Sequence, residues 1–288
     1  MIRAFRLPAL CLGVVLALSV GPVSAAGENS PTDLITQADL AYMTRYLQES
    51  MTEALALYEA VLPNLDTLSA WSQAYVLNRL SQLCYEAAMF TDGNTPEDKE
   101  LFTRGKEYGF QSLRLNKEFV EHEPEGLEEA LSYVTDVAAM HWTANNWGML
   151  CGINPIQGLL QQGSVLTLFS RCVELEPGFW GASAASALGS LLIMLPGPMG
   201  GDDGAGLALV EDSIVTDPCY LHNRIILAEY WGFTYSFLGA LTGVRDAELI
   251  ERETAIVLEA EIGDWPFWNR QAKIAAERLL AQLRNLTD

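Results

Sequence analysis

The sequence predicts an all-α protein of stacked helical hairpins, and three observations predict it. Nearly every segment after residue 30 repeats its apolar residues at helical spacing. Ser, Thr, Asn or Asp caps precede several of those segments, and prolines close others. No stretch combines period-two alternation with flanking turn signals, so no strand is expected. At 288 residues and 50% hydrophobic, the chain can bury a sizeable core.

The elements follow in order. Residues 34–49 and 51–62 form a helical hairpin, with Leu55, Tyr58 and Leu62 on one face of its second helix. Ser69 caps a long helix carrying Trp71, Tyr75, Leu80 and Leu83. The run FTDGNTPED is a turn. Thr95 then caps, Pro96 takes the first helical position and Asp98 completes a capping box, so this helix runs to Leu115. Pro124 opens a helix reaching Leu150. Asn154-Pro155 starts a short helix, and Ser164 caps the next one. Helices over 179–194, 203–216, 218–240, 246–261 and 266–284 complete the chain.

Paired helices call for a test of repeats. Offsets of 12, 8 and 5 residues before Pro177 fall on Val165, Phe169 and Cys172. The same offsets before Pro218 fall on Gly206, Val210 and Ser213. Two further segments align, through Gly105, Gly109 and Ser112 and through Ala54, Tyr58 and Val61. Small residues at such offsets let paired helices approach closely, and stacking buries what one pair leaves open. The spacings between the four segments are 51, 60 and 41 residues, so the expectation is a degenerate tetratricopeptide-like array with insertions, an α-solenoid.

The stretch LLIMLPGPMGGDDGAGLALVEDSIVTDPCYL reads as the turn of one such hairpin. Pro196 and Pro198 end the first helix, and Gly197, Gly200 and Gly201 permit a tight reversal. Asp202 or Asp203 caps the second helix. The missing GxxxxGK[ST] pattern and the repulsion of paired acids argue against a phosphate cradle, and two adjacent aspartates fall short of a calcium ligand series.

The N-terminus reads as a cleaved secretion signal over residues 1–26, followed by one helical-repeat domain over 27–288. Arg3 and Arg6 supply the basic region, LPALCLGVVLALSV the apolar core and PVSAA the cleavage site after Ala25 or Ala26. Cys11 stands at the start of the apolar run rather than after it, which argues against a lipid anchor. Net charge is −20, and removing Arg3 and Arg6 takes it to −22, a surface that repels nucleic acid and anionic lipid. Cys84, Cys151, Cys172 and Cys219 remain beyond the leader. None is in CxxC spacing, so zinc is not expected, and both buried thiols and a bridge stay open.

Two aromatic segments are the candidate ligand groove. In HWTANNWGML, His141 and Asn145 share a helical face, while Trp142 and Trp147 point differently; Asn146 adds a second amide. In YWGFTYSF, Trp231 and Tyr235 share a face. Such side chains suit an elongated, partly apolar small molecule, and core packing is the competing reading for each. Trp265 and Trp268 are expected to staple the last helix pair. Catalytic signatures are missing: there is no GxSxG, HExxH, dinucleotide-binding glycine pattern or Walker loop, and the three histidines lie far apart in sequence. No cofactor or metal is therefore expected, and no enzyme activity, although paired carboxylates keep an all-α glycoside-acting enzyme as one alternative and a peptide-binding tetratricopeptide-like scaffold as another.

The order of these pieces carries a resemblance. A helix ending LLIMLP, then GGD, then VEDSIVTDPCYL and YW, preceded by LNKEF and HWTANNWG and followed by WNRQAKIAAERLL, resembles the T-component of TRAP transporters, the TatT family. The likeness runs over nearly all of the chain after the leader. It departs from the family pattern at Asp202-Asp203-Gly204-Ala205, where a single aspartate is more usual, and in the leader, because familiar members are often lipoproteins. The resemblance implies a periplasmic accessory of a TRAP-type uptake system that assembles as a homo-oligomer, a trimer. It implies binding to the cognate TRAP substrate-binding protein and a hydrophobic or organic-acid-like ligand.

Overall fold

The computed structural model describes residues 30–91, 93–236 and 239–287; the leader, its cleavage site and Cys11 lie outside the described residues. The first hairpin pairs α1 (Pro31–Met43) with α2 (Gln48–Glu59), and the second pairs α3 (Ala70–Ala88) with α4 (Pro96–Leu113). Two short helices, α5 (Lys117–His122) and α6 (Leu127–Ser132), lead to α7 (Val137–Ile153), which packs on both α4 and α8 (Pro155–Leu175). Helices α9 (Phe179–Met194) and α10 (Asp203–Thr216) form the tightest hairpin. The chain continues through α11 (His222–Ile226), a π-helical turn at Leu227–Trp231, and strands β1 (Phe233–Tyr235) and β2 (Leu241–Val244). It finishes with the pair α12 (Ala247–Glu259) and α13 (Pro266–Thr287). The architecture is an all-α helical repeat with one small antiparallel ribbon.

The repeat register is realised in the packing. Ala54, Tyr58 and Val61 are fully buried at α2, and Val165, Phe169 and Cys172 are buried on α8. Gly105, Gly109 and Ser112 are buried on α4, and Gly206, Val210 and Ser213 on α10. The α9–α10 crossing shows why small residues stand there. A Cβ on Gly206 would lie 2.6 Å from the Gly189 carbonyl oxygen, and a Cβ on Gly189 would lie 2.6 Å from that of Gly206. The backbones meet at this point, and only hydrogen fits between them.

The caps fall where the residue types predict. Ser69 accepts a hydrogen bond from the Ser72 amide, and Thr95 with Asp98 forms a full capping box. Asp202 rather than Asp203 caps α10, accepting from the Ala205 amide at 3.0 Å, while Asp203 faces Arg245 at 3.6 Å. Gly200 takes the left-handed conformation that the reversal needs, with φ of 92°.

Four sequence expectations are corrected. The helix from Pro124 to Leu150 is broken: Glu123–Glu125 is a 3-10 turn, Gly126 adopts φ of 135°, and α7 restarts at Val137 with Asp136 as cap. The break at residue 164 is not made, and α8 is continuous from Pro155 to Leu175. The helix over 218–240 ends at Trp231; β1 pairs antiparallel with β2, with Phe233 opposite Val244. Short strands of three and four residues give too few alternations to register as a period. Trp265 and Trp268 do not merely staple the last pair. Trp265 packs on Trp180 and Tyr220, and Trp268 packs on Tyr85 of α3.

Trp268 thereby ties the end of the chain to its beginning. Glu86 on α3 has no exposed side-chain surface. It accepts from Arg45 Nε at 2.6 Å, Gln82 Nε2 at 2.9 Å and Trp268 Nε1 at 3.0 Å. Arg45, between α1 and α2, also lies 4.1 Å over the Tyr42 ring. A buried charge pair needs this many donors to offset its desolvation. No helix among the described residues is long and apolar enough to cross a membrane. The thiols of Cys84, Cys151 and Cys172 are free and buried, and that of Cys219 is free and exposed.

Candidate functional site

A cavity of about 470 Å³ lies between α7, α8, α9 and the α11 region. Each wall is a helical stripe. From α7 come His141, Asn145, Gly148 and Gly152, at spacings that keep one face inward. From α9 come Ser183, Ser186 and Ser190 with Leu191 and Met194. From α11 and the π turn come His222, Ile226, Glu229 and Tyr230, and β1 adds Tyr235. The floor is aromatic, made of Tyr85, Trp142, Tyr220 and Trp268. Asn94, Gly152 and Gly239 are lining residues on the exposed surface and mark the mouth.

The aromatic floor depends on an unusual backbone turn. Trp180, Gly181 and Ala182 all have positive φ, at 50°, 65° and 59°. For Trp180 and Ala182 this costs about 1–2 kcal/mol each. Tyr220 holds the turn from one side, so close that a Cβ on Gly181 would lie 2.6 Å from its Cγ. Asn223 holds it from another, donating to the Gly181 carbonyl at 2.8 Å. The turn delivers Trp180 edge-on to Trp142, with centroids 5.1 Å apart.

The polar groups of the cavity are mostly held neutral. His141 is buried, and burial pushes its pKa down to about 3. Its Nε2 lies 3.0 Å from Asn145 Nδ2 and 3.2 Å from Ser183 Oγ. Asn145 Nδ2 also donates to the His141 carbonyl at 2.9 Å, which fixes the amide orientation. Nε2 is therefore an acceptor, and the proton sits on Nδ1, which has no partner. His222 sits 5.1 Å from the Trp268 ring, and burial, with Arg278 adding to it, lowers its pKa to about 4. Burial raises the pKa of Glu229, against the pull of Arg278, whose Nη2 lies 3.6 Å away. Burial also raises those of Tyr230 and Tyr235.

The structure divides the seven candidate residues. His141, Trp142, Asn145 and Tyr235 line the cavity. Asn146 turns the other way, donates to the Ser81 and Trp142 carbonyls and fills the contact with Gly105. Trp147 packs edge-on against Phe110, lies 4.4 Å from Lys106 Nζ and donates to Gln161. Trp231 lies under Arg245, at 4.5 Å, and does not share a helical face with Tyr235, because the π turn ends between them. The lining residues that the sequence reading missed are the serines of α9 and the group His222, Glu229 and Tyr230. The serines do leave a signal: Ser183, Ser186 and Ser190 recur every three or four residues in an otherwise apolar helix.

The fold and the site define a stacked-hairpin protein enclosing an aromatic, sparsely charged cavity. The chain matches the family described as TRAP transporter T-component over residues 66–232, from the loop before α3 to the residue after the π turn. It belongs to that family and is thus a component of TRAP-type transport. No curated protein matches it.

Proposed function

We propose that the protein is a periplasmic, non-enzymatic accessory of a TRAP-type uptake system, which binds the cognate substrate-binding protein and holds a small, partly hydrophobic ligand in its cavity. The cavity carries this reading. About 470 Å³ suits a drug-sized or smaller molecule. Tryptophan and tyrosine faces supply apolar contact, while the serines, Asn145 and Tyr230 supply a few hydrogen bonds. Family membership supports the transport role. In this reading the leader is removed after Ala25 or Ala26, residues 27–288 act as one helical-repeat domain, and the protein assembles as a trimer. A ligand would pass between this cavity and the binding protein without ATP, since no nucleotide-binding motif is present.

The test is direct. The substrate-binding protein encoded beside the TRAP permease is titrated into the protein by calorimetry. A saturable complex is expected. No complex at tens of micromolar, with or without added periplasmic extract, would refute the accessory role.

A further inference from the structure

The charge inside the cavity narrows the ligand. Glu229 is the one acidic side chain among the described residues that line it. No lysine or arginine among the described residues lines it, and burial keeps His141 and His222 uncharged at neutral pH. Arg278 approaches Glu229 at 3.6 Å but is not a lining residue, and half of its side chain is exposed, at 51% against 23% for Glu229. The π turn sets Glu229 and Tyr230 side by side on the wall, and Tyr235 lies 6.1 Å from Tyr230, ring to ring. His222, one helical turn and more before Glu229, adds a neutral imidazole against Trp268.

An anionic head would find the one nearby cation, Arg278, outside the lining and already facing Glu229, and it would lose its hydration beside a carboxyl group. A positive head meets the opposite conditions. Burial favours the neutral acid at Glu229 and Arg278 opposes that; an ammonium head adds a second cation that holds it as a carboxylate, and the faces of Trp142, Trp268 and Tyr230 offer quadrupoles that attract cations. The net charge of −20 adds a long-range field of the same sign preference.

We propose that the Glu229 end of the cavity is a head-group site for an ammonium-bearing, partly apolar ligand, and that the cavity turns carboxylates away. The proposal rests on the cavity being a ligand site, as in the proposed function, and it decides between the hydrophobic and organic-acid classes.

Three probes share an indole body and differ at the head: tryptamine, tryptophol and indole-3-propionate. Each is titrated calorimetrically into the full mature protein at neutral pH. Tryptamine is expected to bind about tenfold or more tighter than indole-3-propionate, with tryptophol between them. Glu229→Gln is expected to erase that ratio, with its circular dichroism and melting midpoint recorded as a check on folding. Gly152→Trp keeps the surface charge and narrows the mouth, because a Cβ at Gly152 meets nothing within 4 Å. It is expected to weaken all three probes. Equal or tighter binding of indole-3-propionate overturns the charge preference and leaves the cavity reading standing. Undiminished tryptamine binding to Gly152→Trp means attraction to the acidic surface, and overturns the head-group site. If none of the three binds at millimolar concentration, the cavity reading itself fails and the proposal falls with it.

Discussion

Glu86→Ala is expected to loosen the contact between the two ends of the chain. Glu86 has 0% side-chain exposure and Arg45 has 11%. The substitution leaves the Arg45 guanidinium buried without its counter-charge, and removes the acceptor of Gln82 Nε2 and Trp268 Nε1. Breaking a buried pair from one side costs about 3–5 kcal/mol. At about 2–4 °C per kcal/mol for a chain of this size, the melting midpoint should fall by about 6–20 °C. The control is Arg45→Met with Glu86→Leu, which removes both charges and refills the volume. It should recover part of the loss, because only the indole and amide donors stay unpaired. Urea denaturation of Arg45→Met, Glu86→Leu and the double variant gives a coupling energy, expected to exceed about 2 kcal/mol. A loss under about 1 kcal/mol for Glu86→Ala, or additive single effects, would refute the argument that buried Glu86, paired with Arg45 and bonded by Trp268, anchors the first hairpins where α13 meets them.

Trp142 is both 2% exposed and a cavity wall, so Trp142→Ala should cost about 3–5 kcal/mol in urea denaturation and also lose bound ligand. An unchanged midpoint would contradict its packing against Tyr85 and Trp180. Gly206→Ala should destabilise by about 1–3 kcal/mol despite better helix propensity worth about 1 kcal/mol, because the new methyl meets the Gly189 backbone rather than a movable side chain; a stabilised variant in thermal melts would refute the close crossing. Acid should expose the buried histidines. Their folded pKa values, about 3 for His141 and about 4 for His222, lie below the unfolded 6.5, so their stabilisation is whole above pH 6.5 and is lost as pH falls toward 4. Each contributes a slope of about 1.4 kcal/mol per pH unit in that window. His141→Gln with His222→Gln should flatten the stability curve between pH 6 and 4.5, and an unchanged slope would show that the imidazoles charge freely in the fold.

Much of the repeat could be read from residue spacing, because helix crossings impose small residues at fixed offsets. The four offset triples are all buried as a result, from Ala54 on α2 to Ser213 on α10. Breaks were harder to see. Pro124 fits the first turn of a helix as well as a 3-10 turn, and Gly126 gave no warning of its positive φ. The ribbon at Phe233–Tyr235 was hidden in an aromatic run that suits helix and strand alike. At the cavity, helical phase groups His141 with Asn145 and sets Trp147 apart, but it leaves Trp142 and Asn146 on a shared face and does not say which face meets a void. The Glu86–Trp268 contact spans 182 residues, a separation at which no local pattern speaks.

Native mass spectrometry of the gently purified mature protein tests the central claim most directly, because it reports bound small molecules and assembly together. A trimer carrying a discrete, solvent-extractable small molecule is expected, with that mass excess reduced or lost in the Gly152→Trp protein. A monomer at the bare chain mass, with nothing in the extract and no difference between the two proteins, would contradict it.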